Sequence, residues 1–328
     1  MEKFISVIIP NYNGIATIGK CLEAAFSSRY EHFEVIVVDD CSLDNSAQII
    51  KKYPCRLIQL KEHSGVSKAR NIGAKNSKGE TLFFIDADCL LESNALSLAN
   101  KTMQERNIKV VGGTYTKIPY DRNFFSIFQS IFINYFETKK EEPDYLAAHN
   151  MAIDSGLFRE IGGFAEDSFI GIMAGVEDVE FSHRLKRAGH RLYMNPEMFV
   201  RHIFNFSLPR SLCNAAKKSM FWIMYSMSNR DLLADSGCAS AELKLNGFFW
   251  SLSLFLVMLC FFIRDTAFLA PIPVFFALNL FFNRGLVKAF YDTKGLIFTF
   301  TATLYYTTLY PLAIWTGALV GAMKSIVN

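Results

Sequence analysis

The last 84 residues of this 328-residue chain carry only seven charged side chains: Arg264, Asp265, Arg284, Lys288, Asp292, Lys294 and Lys324. They leave three uncharged stretches, residues 245–263, 266–283 and 295–323, of 19, 18 and 29 residues. A helix rises about 1.5 Å per residue and a hydrocarbon core is about 30 Å thick, so each stretch reaches spanning length. A buried helical core in a soluble protein is the competing reading. Three such runs in so short a segment exceed what a soluble core needs. The second stretch contains Pro271 and Pro273 and reads either as a span or as a re-entrant or interfacial segment. Between the second and third stretches, Arg284, Lys288 and Lys294 outnumber Asp292, which predicts a cytoplasmic loop. Three spans then put the front of the chain inside and the short C-terminus outside.

The tail also holds the entire net charge of +3, since the first 244 residues balance. A charge this small, with no basic block, predicts no nucleic-acid partner. The seven cysteines are odd in number, irregularly spaced and lack Cys-x-x-Cys, which argues against a zinc or disulfide framework. Reduced thiols in a cytosol-facing domain fit better. The apolar run Phe4–Pro10 is too short for a signal peptide. Residues 122–136 are aromatic at helical spacing (Phe124, Phe128, Ile131, Tyr135), and residues 217–225 set Lys217 and Lys218 beside Trp222 and Tyr225. Both read as helices in a headgroup layer or as ordinary core.

The first 90 residues alternate strand and helix. Strands are predicted at 6–9, 33–38, 56–60 and 81–85, and helices at 18–28, 42–52 and 66–76. Such alternation implies an α/β fold with a mostly parallel sheet, whose ligands sit at the carboxyl ends of the strands. Polar residues appear at those ends: Asn11 and Asn13, Asp39 and Asp40, Asp86 and Asp88. Asp86 and Asp88 flank Ala87 after an apolar strand, a pattern that suits Mg²⁺ or Mn²⁺ bound with substrate phosphates. The loop His63–Gly73 opens a helix and carries Lys68 and Arg70, which fits backbone donors and cations near a diphosphate, or a plain capped helix with surface charge. No Gly-x-Gly-x-x-Gly follows the first strand, against a nicotinamide enzyme. Glu177 and Asp178 open a helix that ends at Gly189. A carboxylate there is either a cap or an ionised general base.

Six segments resemble, in order, the family 2 glycosyltransferases of GT-A (nucleotide-diphospho-sugar transferase) fold: Ser6–Asn13, Val37–Asp44, Gly65–Gly73, Phe84–Asp88, Ile161–Phe164 and Gly175–Asp178. The resemblance covers about residues 4–205. It implies a Rossmann-like domain over 1–210, a juxtamembrane region over 211–244 and about three transmembrane helices over 245–328. It further implies that Pro10, Asn11, Tyr12 and Asn13 line a nucleotide pocket and that Asp40 reads the base. Lys68 and Arg70 would meet the diphosphate, and Asn150 the donor sugar. Asp88, Asp86 and His202 would hold Mn²⁺ or Mg²⁺, with Asp88 the direct ligand. Asp178 would be the base and Glu177 its support. The implied reaction is an inverting single displacement from a nucleotide sugar, UDP-linked by family habit, onto a lipid-linked hydroxyl in cell-envelope glycan synthesis at the plasma membrane. No Gln-x-x-Arg-Trp follows the Glu-Asp pair, against processive polymer synthesis. A polyprenyl-phosphate sugar synthase, with a phosphate acceptor that needs no base, is the alternative enzyme. A sugar-binding scaffold on a decayed fold would have lost its Asp pairs, and a transport role for the tail would need subunits to assemble.

Overall fold

A computed structural model describes residues 2–166, 175–232 and 234–327. The chain divides into two compact units, one of residues 1–122 and 137–205, the other of 123–136 and 206–328. The second unit thus takes a 14-residue piece out of the first stretch of chain, an insertion the linear reading of 1–210 does not show.

The first unit opens as β1 (Ile5–Asn11), α1 (Ile18–Phe26), β2 (Phe33–Asp39), α2 (Ser46–Ile50), β3 (Arg56–Gln59), α3 (Val66–Lys75) and β4 (Thr81–Ile85). The apolar runs of β1, β2 and β4 are nearly all buried, as strands covered on both faces should be. α2 is shorter than the predicted 42–52. Ser42 and Asp44 bond loop amides: Asn13 N–H donates to Ser42 Oγ at 2.9 Å and Ile15 N–H to Asp44 Oδ2 at 2.9 Å. Ser and Asp side chains that bond local backbone in this way compete with helix formation.

After β4 the pattern changes. β5 (Cys89–Leu91), α4 (Ala95–Glu105), β6 (Val110–Tyr115), β7 (Asn150–Asp154), α6 (Ser155–Glu160), α7 (Glu177–Arg187) and β8 (Tyr193–His202) complete the unit, with α5 (Phe124–Glu137) between β6 and β7. The eight strands lie in the order β3-β2-β1-β4-β7-β6-β8-β5. β1, β2, β3 and β4 pair in parallel, as predicted. β6–β8 is parallel too, while β4–β7, β6–β7 and β5–β8 are antiparallel, so four of the seven pairings are parallel and the mostly parallel expectation holds within a mixed sheet. Two registers place polar side chains beside the Asp-x-Asp pair: Ile85 lies opposite Asn150, and Cys89 opposite His202.

The second unit is helical: α8 (Leu208–Asn229), α9 (Ala241–Ile263), a 3₁₀ turn (Thr266–Leu269), α10 (Ile272–Phe282) and α11 (Arg284–Val327), with residues 124–136 of α5. A helix apolar on every side belongs inside. Ile127, Phe128, Ile131, Phe132 and Phe136 are accordingly at most 3% exposed, and Phe128 packs on Phe290 and Tyr305. This corrects the headgroup-layer reading of 122–136. α8 does keep Lys217 and Lys218 exposed.

α9 and the long α11 are long and apolar enough to cross a membrane. Between them, the predicted second span is a 3₁₀ turn followed by an 11-residue helix, which alone covers only about 16 Å. Pro271 and Pro273 restart the helix by removing two backbone donors. Three full-length spanning helices therefore become two, with a shorter apolar helix between them. α11 breaks at Gly295, whose φ is +73°, just past the charged segment 284–294. Gly317 and Gly321 are spaced as Gly-x-x-x-Gly, and a Cβ on them would lie 2.0 Å from the Ala216 carbonyl and 2.5 Å from that of Met220. α8 and α11 therefore meet backbone to backbone, as small residues permit between apolar helices. Buried amides join three helices: Asn246 Nδ2 donates to the Tyr306 carbonyl, Asn279 Nδ2 to Asn246 Oδ1 and Asn283 Nδ2 to Asn279 Oδ1, each at 2.8 Å. Tyr306 donates to Asn283 Oδ1 at 2.9 Å and closes the chain.

Candidate active site

The parallel half of the sheet delivers its polar residues as expected, but most of them bind one another. Asn11 is buried and Asn11 Nδ2 donates to Asp39 Oδ1 at 2.7 Å, tying the end of β1 to that of β2. Asp40 accepts from Ser64 N–H at 2.7 Å and Gly65 N–H at 2.8 Å, with His63 Nδ1 2.9 Å away. The expected loop donors at the start of α3 therefore go to Asp40, not outward, and this carboxylate is 2% exposed. His63 in turn stacks on Tyr12, ring centroids 4.0 Å apart, and both rings are half exposed. Pro10 is half-buried, and Asn13 accepts from Leu43 N–H at 2.8 Å.

Arg70 is the centre of the arrangement. Its guanidinium is 3% exposed and donates to Asp86 Oδ1 at 2.7 Å and Glu177 Oε1 at 2.8 Å. Burial would lower its pKa, but the two carboxylates outweigh that and raise it. Arg70 is thus committed to protein carboxylates, which corrects its reading as a diphosphate ligand. Its supports come from the Ile161–Phe164 motif. Gly162 and Gly163 take φ of +85° and +68°, a left-handed pair that turns the chain after α6. Asn71 then holds the backbone of Phe164 from both sides, at 2.7 and 2.9 Å, and the Phe164 ring lies 5.4 Å from the Arg70 guanidinium. Lys68, half-buried in the first turn of α3, has no hydrogen-bond or ion-pair partner among the described residues.

The Asp-x-Asp pair divides between two neighbours. Asp86 goes to Arg70. Asp88 Oδ1 is 3.4 Å from His202 Nε2, which the β5–β8 register brings alongside. Ligand atoms of Asp88, Cys89 and His202 all lie within 4.8 Å of one another. This oxygen, sulfur and nitrogen set fits a divalent ion, with Asp86 one residue removed. Burial would push Asp86 up, but Arg70, with His149 and His202, holds it below the usual carboxylate range. Burial pushes Asp88 above that range, with His202 opposing and Asp86 reinforcing.

Glu177 and Asp178 open α7. Glu177 is held by Arg70 and accepts from Gly175 N–H at 2.6 Å, so it is a fixed support. Asp178 Oδ2 accepts from Ala148 N–H at 3.3 Å. Burial, then the neighbouring Glu177, push Asp178 up to about 6, against Arg70 and His149. A carboxylate poised there can take a proton near neutral pH.

Two expectations change in the antiparallel half. Asn150 is fully buried and donates to the carbonyls of Met198 at 2.9 Å and Thr114 at 3.4 Å. Its amide nitrogen ties β7 to β6 and β8, while its Oδ1 has no hydrogen-bond partner among the described residues. Its neighbour His149, which spacing does not single out, acts electrostatically on Asp86, Asp88 and Asp178 alike. The Ile85–Asn150 register explains this, since it sets His149 beside Asp86. His149 stacks on Tyr115 at 4.1 Å and lies 3.6 Å from Glu137 Oε2, which also accepts from Thr114 Oγ1 at 2.6 Å.

Residues 6–162 match the family model described as Glycosyl transferase family 2. Glycosyltransferase GlyG of Streptococcus pneumoniae is 30% identical over 131 residues, 38% of this chain and 44% of that protein. Glycosyltransferase GlyA of the same species is 27% identical over 256 residues, 71% of this chain and 35% of that protein. The chain therefore spans under half the length of these curated relatives. The solved mannosyltransferase PcManGT from Pyrobaculum calidifontis, in complex with GDP-Man and Mn²⁺, aligns with 99% of this chain and 88% of its own. Its TM-score is 0.60 at 16% identity, a likeness of fold.

Proposed function

We propose that this chain, whose residues 6–162 match the Glycosyl transferase family 2 model, is a membrane-anchored inverting glycosyltransferase that moves a sugar from a nucleotide-sugar donor to an acceptor hydroxyl. The observation that carries the reading is the convergence of three carboxylates with different partners. Asp86 is held by Arg70, Asp88 lies beside His202, and Asp178 is left poised to change protonation near neutral pH. The fold relative that holds GDP-Man and Mn²⁺ supports a nucleotide sugar and a divalent ion as the ligands.

In this reading Asp178 accepts the proton of the acceptor hydroxyl as its oxygen bonds to the anomeric carbon. The bond from that carbon to the diphosphate oxygen breaks on the opposite face, and its electron pair leaves with the nucleoside diphosphate. The Arg70–Glu177 pair fixes the start of α7, and the amides of Ala148 and Val179 hold the Asp178 carboxylate. Lys68 supplies a cation that no protein carboxylate neutralises among the described residues, suited to a diphosphate. The Tyr12–His63 stack offers a flat face to a nucleotide base. A bound Mn²⁺ or Mg²⁺, held by Asp88 and His202 with Asp86 behind, would neutralise charge on the leaving diphosphate.

The second unit supports a membrane setting. Phe255, Phe261 and Phe262 on α9 and Leu296, Ile297 and Phe300 on α11 are between 51% and 83% exposed, far more apolar surface than water favours. A lipid-linked acceptor fits such an anchor, and a cytoplasmic active site fits the basic segment 284–294 when residues 266–282 cross the bilayer after α9.

The test is full-length protein in lipid vesicles with a panel of UDP- and GDP-sugars, Mn²⁺ and a lipid extract. One donor should release its diphosphate and give a lipid product of inverted anomeric configuration. Retained configuration would reject the single displacement. Transfer to polyprenyl phosphate that survives Asp178→Asn would favour the synthase alternative.

A further inference from the structure

The residue after the Asp-x-Asp pair is a cysteine, and nothing in the proposed transfer calls for a thiol there. Cys89 Sγ lies 3.8 Å from Asp88 Oδ1, and the same Oδ1 lies 3.4 Å from His202 Nε2. A tetrahedral Zn²⁺, with bonds of about 2.0 Å to nitrogen and oxygen and about 2.3 Å to sulfur, spaces nitrogen and oxygen roughly 3.3 Å apart and sulfur roughly 3.5 Å from either. The Asp88–His202 edge of such a tetrahedron is therefore already formed, and with all three ligand atoms within 4.8 Å of one another the Cys89 thiol has only a short way to close on binding. The scaffold is rigid: Cys89 and His202 are cross-strand partners of β5 and β8, and Cys89 is fully buried beneath the more exposed Asp88.

We propose that Asp88, Cys89 and His202 form a three-ligand site that binds the thiophilic ion Zn²⁺ in preference to Mn²⁺ or Mg²⁺, and that Zn²⁺ seated there excludes the harder ion. Only the exclusion rests on the proposed transferase function. The chemistry favours the soft ion twice over. Nitrogen and sulfur sites bind Zn²⁺ more tightly than Mn²⁺ in general, and thiolate sharpens the difference, because Mg²⁺ and Mn²⁺ prefer six oxygen ligands. On binding, the Cys89 S–H bond breaks, its proton goes to solvent and the sulfur pair bonds the metal. The fourth position stays open to water or a phosphate oxygen. Zinc at this place would act as an inhibitor of the Mn²⁺- or Mg²⁺-dependent transfer.

The experiment is X-ray absorption at the zinc edge on full-length protein loaded with one equivalent of Zn²⁺, with chelator competition for Zn²⁺ and Mn²⁺. One sulfur neighbour at about 2.3 Å is expected in the native chain and none in Cys89→Ser. Cys89→Ser should weaken Zn²⁺ at least tenfold and Mn²⁺ less than threefold. Cys21→Ser, at a buried thiol outside the triplet, should keep the sulfur signal. The native spectrum decides even if Cys89→Ser fails to fold. Zinc with only nitrogen and oxygen neighbours, or a sulfur signal that persists in Cys89→Ser, overturns the site. Failure of every donor to turn over with Mn²⁺ would remove the proposed function and leave the spectrum to stand alone.

Discussion

In the proposed transfer, Asp178 would set the acid limb of activity. Its carboxyl stands at about 6 in place of 3.8, chiefly through burial and next through Glu177. Such a shift is worth about 3 kcal/mol in favour of the protonated form. A general base works only when ionised, so kcat/KM should rise with pH through about 6. Roughly a tenth of the molecules are active at pH 5 and about nine tenths at pH 7. Glu177→Gln removes the adjacent negative charge and leaves Arg70 with one carboxylate fewer. Both changes favour ionised Asp178, so the limb should move to lower pH. The assay is donor turnover at saturating Mn²⁺ between pH 4.5 and 8, in native protein and in Glu177→Gln with matched circular dichroism. A flat profile, or a limb near pH 6 that Glu177→Gln leaves in place, would refute the reasoning. The same shift has a stability consequence. The folded-state value lies above the unfolded one, so the folded chain binds more protons between about pH 4 and 6. Ionising Asp178 therefore costs stability as pH rises through that window. Asp178→Asn should raise the thermal midpoint at pH 7 while abolishing transfer.

Other consequences are as direct. Arg70→Leu leaves the buried Glu177 without its cation, together with the part-exposed Asp86, and should cost about 3 kcal/mol, read by thermal or denaturant unfolding. Gly317→Val drives a side chain into the Ala216 carbonyl and should destabilise the helical unit by about 1–3 kcal/mol or more, read by denaturation in detergent. Asn246→Leu leaves the Asn279 amide without its acceptor and should cost about 1–3 kcal/mol in the same assay. Chelation of divalent ions should stop diphosphate release, and Mn²⁺ should restore it in the native chain but not in Asp88→Asn.

The sheet is legible in the sequence through its first four strands and dark beyond them. β1, β2 and β4 are continuous apolar runs between breakers, so periodicity finds them. β5 has only three residues, and β8 contains Pro196 and pairs with β6 across a register shift, so neither shows a period. The site divides the same way. Asp86, Asp88, Glu177 and Asp178 announce themselves as paired acids. His149 and Cys89 do not, because their roles depend on cross-strand registers between segments 65 and 113 residues apart. Arg70 stands out in the sequence, but its partners do not. One turn of helix suggests a cation facing solvent, and only the fold brings Asp86 and Glu177 to it from opposite ends of the domain.

The most direct test is nucleoside diphosphate release from the preferred sugar donor by full-length protein in vesicles, with native, Asp88→Asn and Asp178→Asn chains compared under identical Mn²⁺. Release that needs Mn²⁺ in the native chain and falls at least a hundredfold in each folded variant is the predicted result. Release that persists in both variants, or proceeds in the native chain without a divalent ion, would contradict the account.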